Sequence, residues 1–485
     1  MKICVIGLDC CAPDVVFRDE RLTNIRRLMD AGTWGRLESV IPPITVPAWM
    51  CMTTSQDPGS LGVYGFRNRT DHTYSGLGIA TSASIKTPAI WDHIAREGKK
   101  SIIVGLPPGY PPRRINGISV GCFLTPDTTK DVFTHPPEVG KELNELCGGE
   151  YPVDVKGFRT DDKDWLKKEI FEMSQKQWTV VKWLLKEKEW DYFHFVDIGQ
   201  DRVHHGFWDS FDKQHIFYKP GNPYENVIPE YYQWVDSQIG EVLELLDSET
   251  VLLVVSDHGA QRLDGGFVVN EWLVKEGLLV LDEYPKEVTP FGKLKVNWAK
   301  TKVWSEGGYY ARVFFNVQGR EPQGIIPQSE YENFQNVMKN KFEALTDDKG
   351  KPLNSLVFKP KELYKNVKNV PPDLIVHFGG LYWRSIGGVG YGRVHVQEND
   401  TGPDACNHAQ YGMFLLAAPN LPLRGEYQGA KLLDVAPTLL DLAGYDIPET
   451  MQGRSLVAGM EKKPPEGFGT GEDTIKNRLE GLGYI

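Results

Sequence analysis

The chain has 485 residues, 41% hydrophobic and 25% charged, enough for one large domain with an insertion or for two to three domains. Its 54 basic and 65 acidic residues give a net charge of −11, and the basic ones are scattered, which argues against nucleic acid as a standing partner. Seven cysteines without metal-type spacing and an N-terminal apolar run that stops at Asp9 argue against a disulfide scaffold, a signal peptide and a membrane span, so reduced thiols and a cytoplasmic setting are expected.

Taken along the chain, "KICVIGL" reads as a buried strand ending at Asp9, and residues 22 to 31 as a helix. Next comes "IPPITVPAWMCM", residues 41 to 52, where Thr45 is caged by Pro42, Pro43 and Pro47. Prolines fix the backbone and remove amide donors, so Thr45 is held at a defined angle. The ordinary reading makes it the N-cap of a helix with Pro47 in the first turn. A helix over 87 to 97, a strand over 101 to 105 and a helix over 164 to 187 precede the strand "DYFHFVDI", residues 191 to 198. Past that strand, "DRVHH" places His205 four residues after Asp201, on one face of a helix, while His204 points about 100° away. A helix over 229 to 247 leads to the strand "VLLVVS", 251 to 256, which ends in Asp257 and His258.

The stretch from 266 to 365 changes character. "YYARVFFNVQG" alternates like an antiparallel strand and "SEYENFQNVMKNKFEAL" reads as an amphipathic helix. After it come a strand over 373 to 378, the loop "GPDACNHAQYG" with His408, a strand over 412 to 418, a helix over 432 to 443 and a Pro/Gly-rich tail before a short final helix. The expected fold is α/β, with a mostly parallel central sheet covered by helices on both faces. Residues 1–265 and 366–485 form the catalytic core, and 266–365 an inserted α+β cap.

In such a sheet ligands bind beyond the carboxyl ends of the strands. Asp9, Asp201 and Asp257 fall there, joined by His205, His258 and His408. Taken singly, each has an ordinary reading as a helix cap, a turn residue, an exposed helix residue or a core histidine. Together, three Asp and three His from separate segments make two mixed carboxylate-imidazole sets of the kind zinc or manganese accepts. Two cations about 3.5–4 Å apart would serve chemistry at a phosphoryl group.

These residues, with "VIGLDC", "IPPITVPAW", "DPGSLGVYGF", "DRVHHGFW", "VVSDHGA", "NEWLVKEGLL", "NVQGREPQGII", "PPDLIV", "DVAPTLLDLAGYDIPETMQGRSL" and "RLEGLGYI", resemble the alkaline phosphatase superfamily over nearly the whole chain. The resemblance is nearest to its type I phosphodiesterase/nucleotide pyrophosphatase branch, including phosphohydrolase/phosphomutase-like proteins. It implies two divalent ions per chain, one held by Asp9, Thr45, Asp257 and His258 and the other by Asp201, His205 and His408. It also implies that Thr45 is the nucleophile, forming a phospho-threonine that water then hydrolyses. The chain departs from the branch at Ala48, where nucleotide pyrophosphatases carry a phosphate-binding Asn, and at Leu61, where a non-ligand histidine is common. Thr45-Val46-Pro47-Ala48-Trp49 lacks the Cys or Ser and the Arg of the sulfatase motif, which argues against sulfate esters.

The expected activity is metal-dependent hydrolysis of a small phosphate ester, with a diester preferred. The alternatives are a phosphomonoesterase or a phosphomutase and, in a different class, a non-catalytic phosphate-binding scaffold. No basic residue lies in the Thr45 motif, and Trp49 offers an apolar wall for a diester's second substituent. Arg202, Arg262 and the "RNR" of 67 to 69 are candidate phosphate clamps. Cys10 and Cys11, beside Asp9, read as small packing residues.

Overall fold

Strand Ile3–Leu8 is buried on both sides. Cys4, Ile6 and Leu8 enter the core on one face of the sheet, and Ile3 and Val5 enter the core on the other. A strand with two covered faces reads as a continuous apolar run rather than an alternation, which is how the sequence marks it. In the computed structural model, which describes residues 1–397, 399–419 and 421–460, this strand lies in the middle of a ten-stranded sheet. The tail and final helix expected beyond residue 460 lie outside the described residues.

Ile3–Leu8 pairs in parallel with Tyr192–Asp197 on one side and Val251–Val255 on the other. Ser101–Val104 and Gly117–Val120 extend the parallel set, while Tyr411–Ala417 closes the other side antiparallel to both Val251–Val255 and Thr33–Glu38. Helices Thr23–Ala31, Lys163–Glu187 and Val227–Leu243 cover one face. Helices Thr45–Thr54, Ile90–Ala95 and Val435–Ala443 cover the other. The register sets Leu8 beside Asp197 and Gly7 beside Val255, so the segments carrying Asp9, Asp201 and Asp257 leave three adjacent parallel strands at the same end.

A second, four-stranded sheet joins Val303–Glu306, Ala311–Phe315, Leu374–His377 and Leu356–Phe358, all antiparallel. It has its own core of Trp304, Phe314, Met338, Phe342 and Phe378, partly supplied by helix Tyr331–Glu343. The strand expected over 373 to 378 exists, but it belongs to this sheet and not to the central one. The second sheet therefore draws a strand from beyond residue 365. A strand buried on both faces gives the same apolar run in either sheet, so its sequence cannot name its partners. Among the described residues no helix is long and apolar enough to cross a membrane.

Candidate metal centre and active site

Thr45 opens helix Thr45–Thr54, but Ile44 is the N-cap residue, and its side chain makes no capping bond. The ordinary reading of Thr45 as the cap is thereby corrected. Its hydroxyl, almost wholly buried, has His258 Nε2 at 3.3 Å as its partner. The helix is buried along its full length because the sheet lies on one side and Leu432–Asp434 with helix Val435–Ala443 on the other. Pro43, in the loop before it, accepts a 2.9 Å hydrogen bond from His408 Nδ1, which ties the proline loop to a distant strand.

Asp9, Asp257 and His258 form one group, fully buried, with candidate ligand atoms all within 4.8 Å of one another. His258 Nε2 lies 3.2 Å from Asp257 Oδ2 and 3.8 Å from Asp9 Oδ1. Trp49 donates from Nε1 to Asp9 Oδ2 at 2.8 Å. It can lie this close because Gly7 has no side chain: a Cβ there would stand 2.5 Å from the Trp49 ring. Trp49 is wholly buried beneath the acid, which corrects its expected role as a wall for a substrate substituent. Cys10 takes a left-handed backbone with φ 65°, turning its amide toward Asp257 Oδ1 at 3.3 Å.

Asp201, His205 and His408 form the second group, and Cys10 Sγ belongs to it. Cys10 and Cys11 are both buried in the core, as expected, and the Cys10 thiol lies among these candidate ligand atoms. Helix Gly199–Phe211 sets His205 Nε2 at 3.2 Å from Asp201 Oδ1, as the four-residue spacing predicts. His408 lies on strand Cys406–Ala409, paired antiparallel with Gly259–Arg262, and its Nε2 is 4.0 Å from Asp201 Oδ1. Its ring stacks on that of His258 with centroids 3.9 Å apart, so the two groups share a wall. His204, about 100° around the helix from His205, is buried, with Tyr232 Oη and Gln200 against its Nε2 at 3.1 and 3.4 Å.

The residues fit a divalent ion in each group on three observations. Each imidazole has an acceptor at Nδ1, namely Gly259 O for His258, Asp404 Oδ1 for His205 and Pro43 O for His408, which leaves each Nε2 facing the acids. Asp9 Oδ1 and Asp257 Oδ2 are buried without any hydrogen-bond partner. Burial and the neighbouring Asp201 charge push Asp9 well above the usual carboxylate range, and burial with the Asp9 charge does the same to Asp257. A cation between them would offset both penalties.

Asp404, which the sequence reading passed over, accepts from His205 Nδ1 at 2.6 Å and pairs with Arg159 and Arg384 at 3.1 Å each. It lies in the loop "GPDACNHAQYG" four residues before His408, and a carboxylate that close to a ligand was the signal available. Tyr309 was also passed over. It stacks on His408 with centroids 4.3 Å apart and accepts from Arg159 at 2.7 Å.

Thr45, Asp201, His205 and His408 open onto a cavity of about 360 Å³. Gly307, Gly308, Tyr309, Tyr310 and Arg312 line its far side. Arg202 is there too, bonded through Nε and Nη2 to Asp154 at 2.7 and 2.9 Å and through Nη1 to Asp201. The other expected clamps divide. Arg67 lines the cavity, Arg69 is buried in an ion pair with Glu321 at 3.3 Å, and Arg262 bonds Asp264 and Gln214 in a different groove.

A sequence model of the type I phosphodiesterase / nucleotide pyrophosphatase family matches residues 3–404, and the chain belongs to that family. It is a hydrolase-type enzyme of phosphoryl chemistry. Murine ectonucleotide pyrophosphatase / phosphodiesterase 5 shares the fold at TM-score 0.52 and 13% identity, over 92% of this chain and 96% of that one. Phosphonoacetate hydrolase from Sinorhizobium meliloti 1021, solved in complex with phosphonoformate, shares it at TM-score 0.56 and 16% identity, over 91% and 96% of the two chains. No curated protein matches the chain by sequence.

Proposed function

We propose that the protein is a two-metal phosphohydrolase that cleaves phosphodiesters through Thr45. The observation that carries the reading is the convergence of two buried groups on one cavity: Thr45, Asp201, His205 and His408 line it, and Asp9, Asp257 and His258 lie directly behind, with His258 against Thr45 Oγ1 and stacked on His408. Asp9, Asp257, His258 and Thr45 would hold one divalent ion, and Asp201, His205 and His408 the other, zinc or manganese by the mixture of carboxylate and imidazole. Bound there, the ions would lower the proton affinity of the hydroxyl and neutralise phosphoryl oxygens.

The chain's own residues do the rest. The proline loop and the buried helix hold Thr45 Oγ1 against His258, and its attack on phosphorus expels the leaving alkoxide or phenoxide and leaves a threonine phosphoryl ester. Water then cleaves that ester and restores the hydroxyl. The helix N-terminus adds its partial positive charge beneath the phosphoryl group. Residues 266–365 act as a cap over the site, a role supported by Tyr309, Tyr310 and Arg312 in the cavity wall. A cytoplasmic setting belongs to the same proposal and is supported by the seven cysteines, all of them free.

The test is hydrolysis of bis(p-nitrophenyl) phosphate by zinc- or manganese-reconstituted protein, with mass analysis of acid-quenched peptides for an adduct on Thr45. Full activity in Thr45→Ala would overturn the nucleophile. Five arginines on the cavity wall, Arg67, Arg159, Arg202, Arg312 and Arg384, favour a second reading as a monoesterase or mutase. A preference of tenfold or more for the matched monoester, about 1.4 kcal/mol in transition-state binding, would select it.

A further inference from the structure

Of the five cavity arginines, four are already engaged by acids, Arg67 among them through Glu306. Arg202 is held by Asp154 and Asp201, while Arg159 and Arg384 share Asp404. Arg312 is different. It is 6% exposed, and its Nη1 donates to the backbone carbonyl of Arg67. Among the described residues no carboxylate lies within 4.0 Å of its guanidinium. Glu306 stands opposite it across the strand pair, but the Glu306 carboxylate reaches toward Arg67 Nη2 at 3.6 Å. A buried guanidinium without a counter-ion is costly to maintain, so a pocket that keeps one is built for an anion that arrives with the ligand.

Three features make this a subsite rather than a stray charge. Arg312 and Arg67 come from different parts of the chain, residue 312 from strand Ala311–Phe315 and residue 67 from strand Arg67–Arg69, yet both line the cavity that contains Thr45. They are coupled directly through the Arg312 bond to the Arg67 carbonyl. Gly307 and Gly308 also line that wall, keeping it free of side chains between Glu306 and Tyr309.

We propose that Arg312 and Arg67 form an anion subsite, so that the preferred substrate is a phosphodiester whose retained substituent carries a second negative group, a carboxylate or a phosphate. The proposal rests on the phosphoryl-hydrolase reading above and adds what that reading lacks, the chemistry of the second substituent. It replaces the apolar wall once expected from Trp49, which lies beneath Asp9 and lines no part of this cavity. A guanidinium fork matches a carboxylate or phosphate with two parallel hydrogen bonds, and such charge-assisted contacts are about twice as strong as neutral ones.

The experiment uses two esters of nearly equal size, p-nitrophenyl 2-carboxyethyl phosphate and p-nitrophenyl propyl phosphate. Calorimetric titration of metal-reconstituted Thr45→Ala protein measures binding without turnover. The carboxyethyl ester is expected to bind at least tenfold more tightly. Adding Arg312→Gln should reduce that ratio to about threefold or less, Arg67→Gln should reduce it by a smaller amount, and Arg262→Gln, in a separate groove, should leave it intact. The ratio is taken within each variant, so loss of folded or metal-loaded protein cancels, and Arg67→Gln carries the test should Arg312→Gln fail to fold. A ratio near one before any arginine is changed would overturn the subsite. So would a ratio that survives in the Arg312 or Arg67 variants, or one that falls equally in Arg262→Gln. Wild-type turnover is read separately. Absence of cleavage of either ester, with the binding preference intact, would sink the hydrolase reading and leave the subsite standing.

Discussion

In the group of Asp9, Asp257 and His258, two carboxylates share a buried space with one imidazole, and an oxygen of each acid has no partner. In the group of Asp201, His205 and His408, the same kind of space is already neutralised. Burial alone would raise Asp201, but the charges of His205 and Arg202 hold it well below the usual carboxylate range. Burial opposes the charge on His205, yet Asp404 holds that imidazole well above its ordinary value. Burial and the nearby His258 charge keep His408 well below its own, and burial, helped by the His205 charge and opposed by Asp201, brings His258 down to about 4. One half therefore holds two acids that favour the neutral form and that a cation between them would keep charged, while the other is balanced by the protein itself and would exchange that balance for a cation. Ligand groups of similar composition differ because their surroundings do: Arg202 and Asp404 form hydrogen bonds directly to members of the second.

The widest test of this contrast lies where the halves meet. Thr45→Ala is expected to lower turnover of a chromogenic phosphodiester by on the order of 10³-fold or more while leaving metal content unchanged, and Thr45→Ser should keep a measurable fraction. Steady-state kinetics beside elemental analysis separates the two effects. Loss of metal in the Ala variant would mean that the threonine oxygen is needed to hold the first half together.

Stoichiometry probes the halves one at a time. His205→Ala should reduce bound metal from about two to about one per chain, since the second group then keeps too few ligands for a closed site. His204→Ala should keep both ions and lower the melting temperature instead, because its buried ring bonds Tyr232 and packs on Trp208. Equal metal loss in both variants would show that the helix register does not select one imidazole.

Asp404→Asn removes no proposed ligand, only the charge that orients His205 and pairs with Arg159 and Arg384. A 10- to 100-fold loss of affinity for one ion, measured against a chelating dye, is expected, with the other ion unaffected. Uniform weakening of both would erase the distinction between the halves.

The smallest effect carries the sharpest sign. In chelator-treated protein, Asp257→Asn should raise the melting temperature. It removes a buried acid beside Asp9 and supplies an amide that can donate to His258 Nε2, 3.2 Å from the present Oδ2. Asp201→Asn should lower it, because Arg202 and His205 lose a partner, each change being on the order of 1 kcal/mol. Thermal denaturation in excess chelator reads both, and shifts of the same sign would show that the halves are not electrostatically different.

Sequence alone is most explicit where chemistry is local. Strand Ile3–Leu8, the four-residue step from Asp201 to His205 and the Asp257-His258 pair at a strand end each state their position in a few letters, because strand burial and helix periodicity act over short ranges. Helix Tyr331–Glu343 announced itself in the same way, with Gln335, Met338 and Phe342 buried along one side. Tertiary structure alone decided what each residue faces. It moved Leu374–His377 out of the central sheet, turned Trp49 under Asp9, sent Arg262 to another groove and left Arg312 buried without an acid beside the cavity. Pairing partners and counter-ions come from segments tens to hundreds of residues apart. A side chain's charge is written in the sequence, but whether that charge is compensated depends on what the fold brings to within a few ångströms of it.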